Sequence, residues 1–144
     1  FFDKYVKSII TLAKKKNIDI VYKPDHQGNI IADHQAFERI MNNLIDNAIK
    51  YSDKNSKITI STLNEADEYI KILVEDSGGG ISPEDKDHIF SRFYRTASAR
   101  ATDNQGSGLG LAIVKHLVNS LNGEVGVQNS KTKGSVFWFT VPQL

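Results

Sequence analysis

Cysteine is absent from the 144 residues. Disulfide frameworks, thiolate zinc sites and cysteine nucleophiles are thereby excluded together. An excess of one charge sign is lacking too: 18 basic and 17 acidic residues leave a formal +1, too little to mark a nucleic-acid domain. No apolar run approaches the ~18 residues of a membrane-spanning helix. The opening Phe1-Phe2-Asp3-Lys4 has neither an initiator Met nor a signal peptide's basic-then-apolar order, so a piece of a longer protein is expected. Only three prolines punctuate the chain, and no repeat or low-complexity stretch occurs. What is present, 40% hydrophobic and 24% charged residues, describes one soluble globular domain able to bury roughly 70% of its unfolded surface.

Apolar spacing predicts the elements. From Asp3 to Lys16, residues Tyr5, Val6, Ile9, Ile10, Leu12 and Ala13 recur at helical spacing, with Lys4, Lys7, Lys14 and Lys15 on a solvated face. Residues 18–23 alternate as a half-buried strand does. Pro24, Asp25 and Gly28 then make a turn, and residues 29–32 read as a short second strand. Asp33 caps a long helix running to about Tyr51. Strands at 57–63 and 69–75 are joined by the polar turn 64–67 at hairpin spacing, so antiparallel pairing is expected. A short helix follows Ser82-Pro83-Glu84 and runs through Ile89 and Phe90. Residues 96–107 show no periodicity, and a loop of that length inside a compact domain is usually functional or disordered. Residues 108–121 are helical again, with Leu111, Val114, Leu117, Val118 and Leu121 on one stripe; Gly123 ends the helix. Strands at 124–128 and 135–141 close the chain. The expected fold is an α+β two-layer sandwich: a mixed, mostly antiparallel sheet with helices on one face.

Three features carry chemistry. Six of the ten glycines fall in two clusters, Gly78-Gly79-Gly80 and Gly106-x-Gly108-x-Gly110. Glycines there let a backbone approach a ligand and expose amides suited to phosphate, and the second cluster opens a helix whose N-terminus is partly positive. Neither cluster has the Lys of a P-loop or the strand and later acid of a dinucleotide fingerprint. On the long helix, Asn43, Asn47 and Lys50 form one polar stripe, offering neutral oxygens for a Mg²⁺ that carries phosphate and a point charge for the phosphate itself. Asparagine is a poor helix former, so three of them (42, 43, 47) within six positions cost helix stability without evident structural return. Asp76 follows Ile70, Ile72 and Val74 on one strand face, and an acid on an apolar face needs a hydrogen-bond donor, such as the exocyclic amine of adenine.

These residues resemble the sequence boxes of bacterial sensor histidine kinases. Asn43-Leu44-Ile45-Asp46-Asn47-Ala48-Ile49-Lys50-Tyr51-Ser52 looks like the N box, and Asp76-Ser77-Gly78-Gly79-Gly80-Ile81 like the first glycine box. Ile89-Phe90-Ser91-Arg92-Phe93-Tyr94-Arg95 resembles the F box, and Gly106-Ser107-Gly108-Leu109-Gly110-Leu111 the second glycine box. Gly134-Ser135, followed by Phe137 and Phe139, is similar to the small C-terminal glycine box. The resemblance implies the catalytic ATP-binding domain of such a kinase, with the Bergerat (GHKL) fold shared by gyrase B and the Hsp90 chaperones. In that family Asn47 would coordinate Mg²⁺ and Asn43 would support the metal or the phosphates. Lys50 would contact phosphate and Tyr51 would line the site. Asp76 would accept from the adenine amine, with Gly78 and Gly80 shaping the pocket and Ile81 packing by the base. Residues from about 92 to 107 would form an ATP lid, and Arg95 would approach the γ-phosphate or the acceptor. Gly106, Gly108, Leu109, Gly110 and Leu111 would hold phosphates, Ser135 would belong to the nucleotide site, and Phe90 and Phe93 would pack lid or partner surface.

The implied reaction is transfer of the γ-phosphoryl of Mg-ATP to a histidine on a separate dimerising domain, with a response regulator downstream. None of His26, His34, His88 or His116 has the family's acceptor neighbourhood, a His followed by an acid and then Arg-x-Pro. The chain alone is therefore expected to be a monomer that does not phosphorylate itself, cut from a homodimeric, membrane-anchored kinase as its cytoplasmic part. Three alternatives share the fold. A hydrolase would place a glutamate where Asn43 stands, and an amide cannot act as a general base. A nucleotide-binding regulatory module would leave phosphate in place. A serine-directed anti-sigma kinase shares most boxes, but the Arg92-Phe93-Tyr94-Arg95 segment favours the histidine kinase.

Overall fold

The computed structural model describes residues 2–15, 17–26, 30, 33–51, 57–66, 68–77, 88–91, 110–129 and 134–143, with Lys50 and Tyr51 described through their backbone. Its elements in chain order are α1 (Phe2–Lys14), β1 (Asp19–Lys23), α2 (His34–Tyr51), β2 (Lys57–Glu65), β3 (Tyr69–Glu75), α3 (Gly110–Ser120), β4 (Val125–Asn129) and β5 (Ser135–Pro142).

Local chemistry sets the helix ends. Asp3 in the first turn and Lys14 in the last complement the dipole of α1. Asp33 caps α2 as expected: its carboxylate accepts from the Gln35 N–H at 2.9 Å, and its carbonyl accepts from the Phe37 N–H at 2.9 Å. α1 and α3 stop in the same way. Asn17 (φ 60°) and Asn122 (φ 64°) take the left-handed conformation. The following amides then reach back, Ile18 N to Ala13 O at 3.1 Å and Gly123 N to Val118 O at 3.0 Å. The residue that turns the chain after α3 is thus Asn122, one position before the glycine expected to end it.

The sheet order is β1-β2-β3-β5-β4. β1 runs parallel to β2, with Ile20 opposite Ile58, and the three other pairings are antiparallel. The β2–β3 hairpin extends two residues further than the sequence pattern indicates, to Glu65 opposite Tyr69, and turns at Ala66 with φ 51°. The segment at 29–32 contributes one described residue, Ile30, which bridges to Gln143. Of the short helix expected before Phe90, only a turn at His88–Phe90 lies within the described residues.

One layer of apolar side chains joins the helices to one sheet face. Ile58, Ile60, Ile70, Ile72, Val74, Phe137, Phe139 and Val141 point inward from the strands. They meet Phe37, Ile40, Met41, Leu44 and Ala48 of α2, Val114 and Val118 of α3, and Val6, Ile9 and Ala13 of α1. Phe37 and Phe139 pack with ring centroids 5.8 Å apart. The alternate residues face outward: Leu63 is exposed, and Lys71 lies over the Trp138 ring at 4.3 Å from its centroid. Helices on one face of a mixed sheet are the architecture the sequence implied.

α1 is tied to its neighbours by two tyrosines. Tyr5 donates its hydroxyl to Asn42 Oδ1 of α2, and Tyr22 of β1 donates to Asp3 at 2.8 Å. Burial, with Glu38 and Asp46 nearby, pushes the Tyr5 hydroxyl well above the ordinary tyrosine range. Its proton is therefore held more tightly in the folded than in the unfolded chain, and its contribution is complete below about pH 10 and lost as pH rises above it. Tyr5→Phe is expected to cost about 1 kcal/mol at neutral pH and to flatten the loss of stability above about pH 10, read from urea unfolding at pH 7 and at alkaline pH. An alkaline slope identical to wild type would exclude Tyr5 as its source.

Candidate functional site

Strand alternation carries Asp76 to the place expected of it. Ile70, Ile72 and Val74 fill the core-facing row of β3, and Asp76, next on the same face, is 4% exposed. The start of β5 receives it. The Asp76 N–H donates to Ser135 O at 2.9 Å, and the Ser135 N–H donates to Asp76 Oδ1 at 3.2 Å. Ser135 is itself buried, and Gly134 before it has φ 108°. A buried carboxylate held by a backbone amide is an anionic acceptor at the end of an apolar wall, which suits an amine on a flat, mostly apolar ring.

The polar stripe of α2 supplies the second part. Asn43 and Asn47 are half-buried, while Leu44, Ile45 and Ala48 are buried in the core. Asn43 lies against the first residue of α3: a Cβ at Gly110 would stand 3.5 Å from Asn43 Oδ1. The first turn of α3 carries amides with no partner inside the helix, so an amide side chain and helix-end donors come together at that point. Leu111, one residue on, is half-buried and packs against the core. Among the described residues no cluster of three or more His, Cys, Asp or Glu exists. The oxygens on offer at this face of α2 are the neutral amides of Asn43 and Asn47, a donor set that fits a hard cation already carrying phosphate charge.

Asn42, one of the three asparagines without evident structural return in the sequence, has a structural role. It is exposed and accepts the Tyr5 hydroxyl, which ties α1 to α2. Phe90 of the F-box segment turns inward and meets Phe137 of β5 edge-on, centroids 6.2 Å apart and planes at 83°. Ile89 beside it is buried. His26 Nδ1 lies 2.6 Å from Thr62 Oγ1, and His116 is exposed on α3. The Lys50 and Tyr51 side chains, Gly78, Gly80, Ile81, Phe93, Arg95, Gly106, Gly108, Leu109 and the whole lid segment at 92–107 lie outside the described residues. Gly134, singled out in the sequence only as part of the small C-terminal glycine box, lies against Asp76, a contact that a glycine before a strand does not signal.

Comparison with known proteins gives this arrangement its class. The chain belongs to the family of histidine kinase-, DNA gyrase B- and HSP90-like ATPases, whose model matches residues 32–144. Sensor protein CiaH of Streptococcus pneumoniae is 35% identical over 137 residues, 95% of this chain and 31% of that protein. Phosphate regulon sensor protein PhoR of Haemophilus influenzae is 37% identical over 150 residues, 99% of this chain and 35% of its own length. The chain thus spans about a third of these curated relatives. Among solved structures, the catalytic domain of histidine kinase ThkA superposes with a TM-score of 0.81 at 28% identity, covering 99% of this chain and 94% of that one. Full-length ShkA in complex with AMPPNP superposes at 0.80 and 28%, covering 98% of this chain and 29% of that one.

Phe90 supports the strand that holds Asp76, through Phe137. Phe90→Ala is expected to destabilise the domain by about 2 kcal/mol, below the ~3–5 kcal/mol of a fully buried Phe because the ring is half-buried. Urea unfolding followed by Trp138 fluorescence reads this; a change under about 0.5 kcal/mol would place Phe90 outside the core.

Proposed function

We infer that this domain binds Mg-ATP and presents its γ-phosphoryl group to a histidine on a separate dimerising domain of the same parent kinase. The observation that carries the reading is Asp76: a 4% exposed carboxylate on a core-facing row, held by the Ser135 amide. Placed there without a ligand role, it brings a desolvation cost that an alanine would avoid. The sensor kinases among the relatives, and the AMPPNP complex of a structural neighbour, support the nucleotide and the reaction class.

In this reading Asp76 accepts from the adenine amine, with Gly78, Gly80 and Ile81 around the base and Ser135 beneath the acid. Asn43 and the amides from Gly106 to Leu111 orient the phosphates, and Asn47 holds Mg²⁺. The metal would neutralise charge on the phosphate oxygens. Lys50 and Arg95 add fixed positive charge there, and Tyr51 lines the site. Residues 92–107 close over the nucleotide as a lid. Phosphoryl transfer needs positioning and charge neutralisation more than covalent help. The phosphorus–oxygen bond to ADP breaks, a phosphorus–nitrogen bond to the acceptor imidazole forms, and the imidazole proton passes to solvent. Asn43 stands where a hydrolase needs a general base, and its amide leaves water unactivated.

The same reading makes residues 1–144 one catalytic unit of a longer, homodimeric kinase, monomeric when alone, whose phosphohistidine passes phosphate to a response regulator. No helix among the described residues is long and apolar enough to cross a membrane. The sensor proteins among the relatives support placing the unit on the cytoplasmic side of a membrane-anchored sensor.

Calorimetric titration with Mg-ATP, Mg-ADP and Mg-GTP, on wild type and Asp76→Asn, tests the proposal. Wild type is expected to prefer both adenine nucleotides, and the substitution to weaken them by about tenfold or more. Wild type should also label a supplied histidine domain from ATP and leave itself unlabelled. Failure of wild type to bind any of the three nucleotides would sink the kinase reading.

A further inference from the structure

β3 and β5 pair rung by rung as far as Glu75 opposite Val136, and the register carries on to Asp76 beside Ser135. In a regular hydrogen-bonded antiparallel rung, two facing residues exchange both backbone bonds. Asp76 N–H donates to Ser135 O at 2.9 Å in this way. The Ser135 N–H, which a regular rung sends to the opposite carbonyl, reaches the Asp76 carboxylate at 3.2 Å. The Asp76 carbonyl is turned onto the Cα of Gly134: a Cβ there would lie 2.1 Å from that oxygen and 3.0 Å from Oδ1. With φ at 108°, position 134 also holds a conformation that L side chains rarely adopt. Any side chain at 134 would push the carbonyl back toward the ladder and crowd the carboxylate at once.

The geometry points to Gly134 as a positioning residue for base recognition. By lacking a Cβ it lets the Ser135 amide hold the Asp76 carboxylate, and so fixes the orientation in which that acid meets an adenine amine. The inference rests on the adenine-binding reading of Asp76. A carboxylate's terminal torsion is intrinsically broad, and the 3.2 Å bond from the Ser135 amide helps to select the orientation that sets Oδ1 against β5. The three atoms nearest a Cβ at 134 all belong to Asp76. The effect of Gly134 therefore belongs to the choice of base, since guanine offers a carbonyl where adenine offers the amine. A glycine that merely completes a strand would affect both bases alike.

The test is calorimetric titration of wild type and Gly134→Ala with ADP and with GDP, after circular dichroism has established that the variant is folded. The expected result is a loss of ADP affinity of about tenfold or more, with a smaller loss for GDP, so that the ADP preference shrinks. A folded variant with wild-type ADP affinity, or with equal losses for ADP and GDP, overturns the inference and leaves the Asp76 reading standing. Wild type that binds no ADP overturns both. If Gly134→Ala does not fold, a backbone ester replacing the amide of Ser135 removes that N–H with glycine still at 134. The same selective loss is expected there, and unchanged ADP preference overturns the inference.

Discussion

A carboxylate on the wrong face of a strand organises this molecule. The inward row of β3 is Ile70, Ile72, Val74 and then Asp76. Removing an ionised acid from water without partners is far costlier than any one apolar contact in the same row can offset. The chain meets that demand with backbone, sending the first amide of β5 to the acid. β5 in turn reaches back to the helix layer through Phe137 and Phe139, and forward to β4. The strand that completes the hydrophobic core is the one that makes its polar exception tolerable, so the stability of the sheet and the orientation of the acid rest on the same residues.

α2 divides its labour by face. One side buries Phe37, Ile40, Met41, Leu44 and Ala48. Another offers Asn43 and Asn47, half-buried, with Asn43 set against the start of α3. Asn42 looks elsewhere and ties down α1 through Tyr5. Neighbouring asparagines of identical chemistry thus face α1 and α3 respectively, separated by the 100° turn between successive helical residues.

Much of this was legible in the sequence, for reasons that can be traced. Period-two alternation gave β3 its inward row and exposed Asp76 as out of place, and helical spacing gave α2 and the Val114–Val118 stripe of α3. The Asp33 cap was readable because an acid before an apolar helix has one common use. Other features depend on contacts far apart in the chain. The parallel placement of β1 beside β2 needs the crossover through α2, which separates them in the chain, and the role of Asn42 comes from a tyrosine 37 residues away. Gly123 looked like the residue that turns the chain because glycine tolerates any φ. The structure gives the left-handed position to Asn122 and uses Gly123 for close approach, since a Cβ there would stand 1.9 Å from Thr140 O.

That cap has a chemical consequence for how the protein ages. Asn-Gly is the dipeptide in which the backbone nitrogen most readily attacks the preceding side-chain amide, closing a succinimide that opens to isoaspartate. In the folded domain the Gly123 nitrogen donates its hydrogen to Val118 O at 3.0 Å, and Asn122 is fixed at φ 64°. The nucleophile is engaged and its torsions are set by the helix end. The bond that terminates α3 therefore also shields its most labile peptide, and that shielding lasts as long as the helix does.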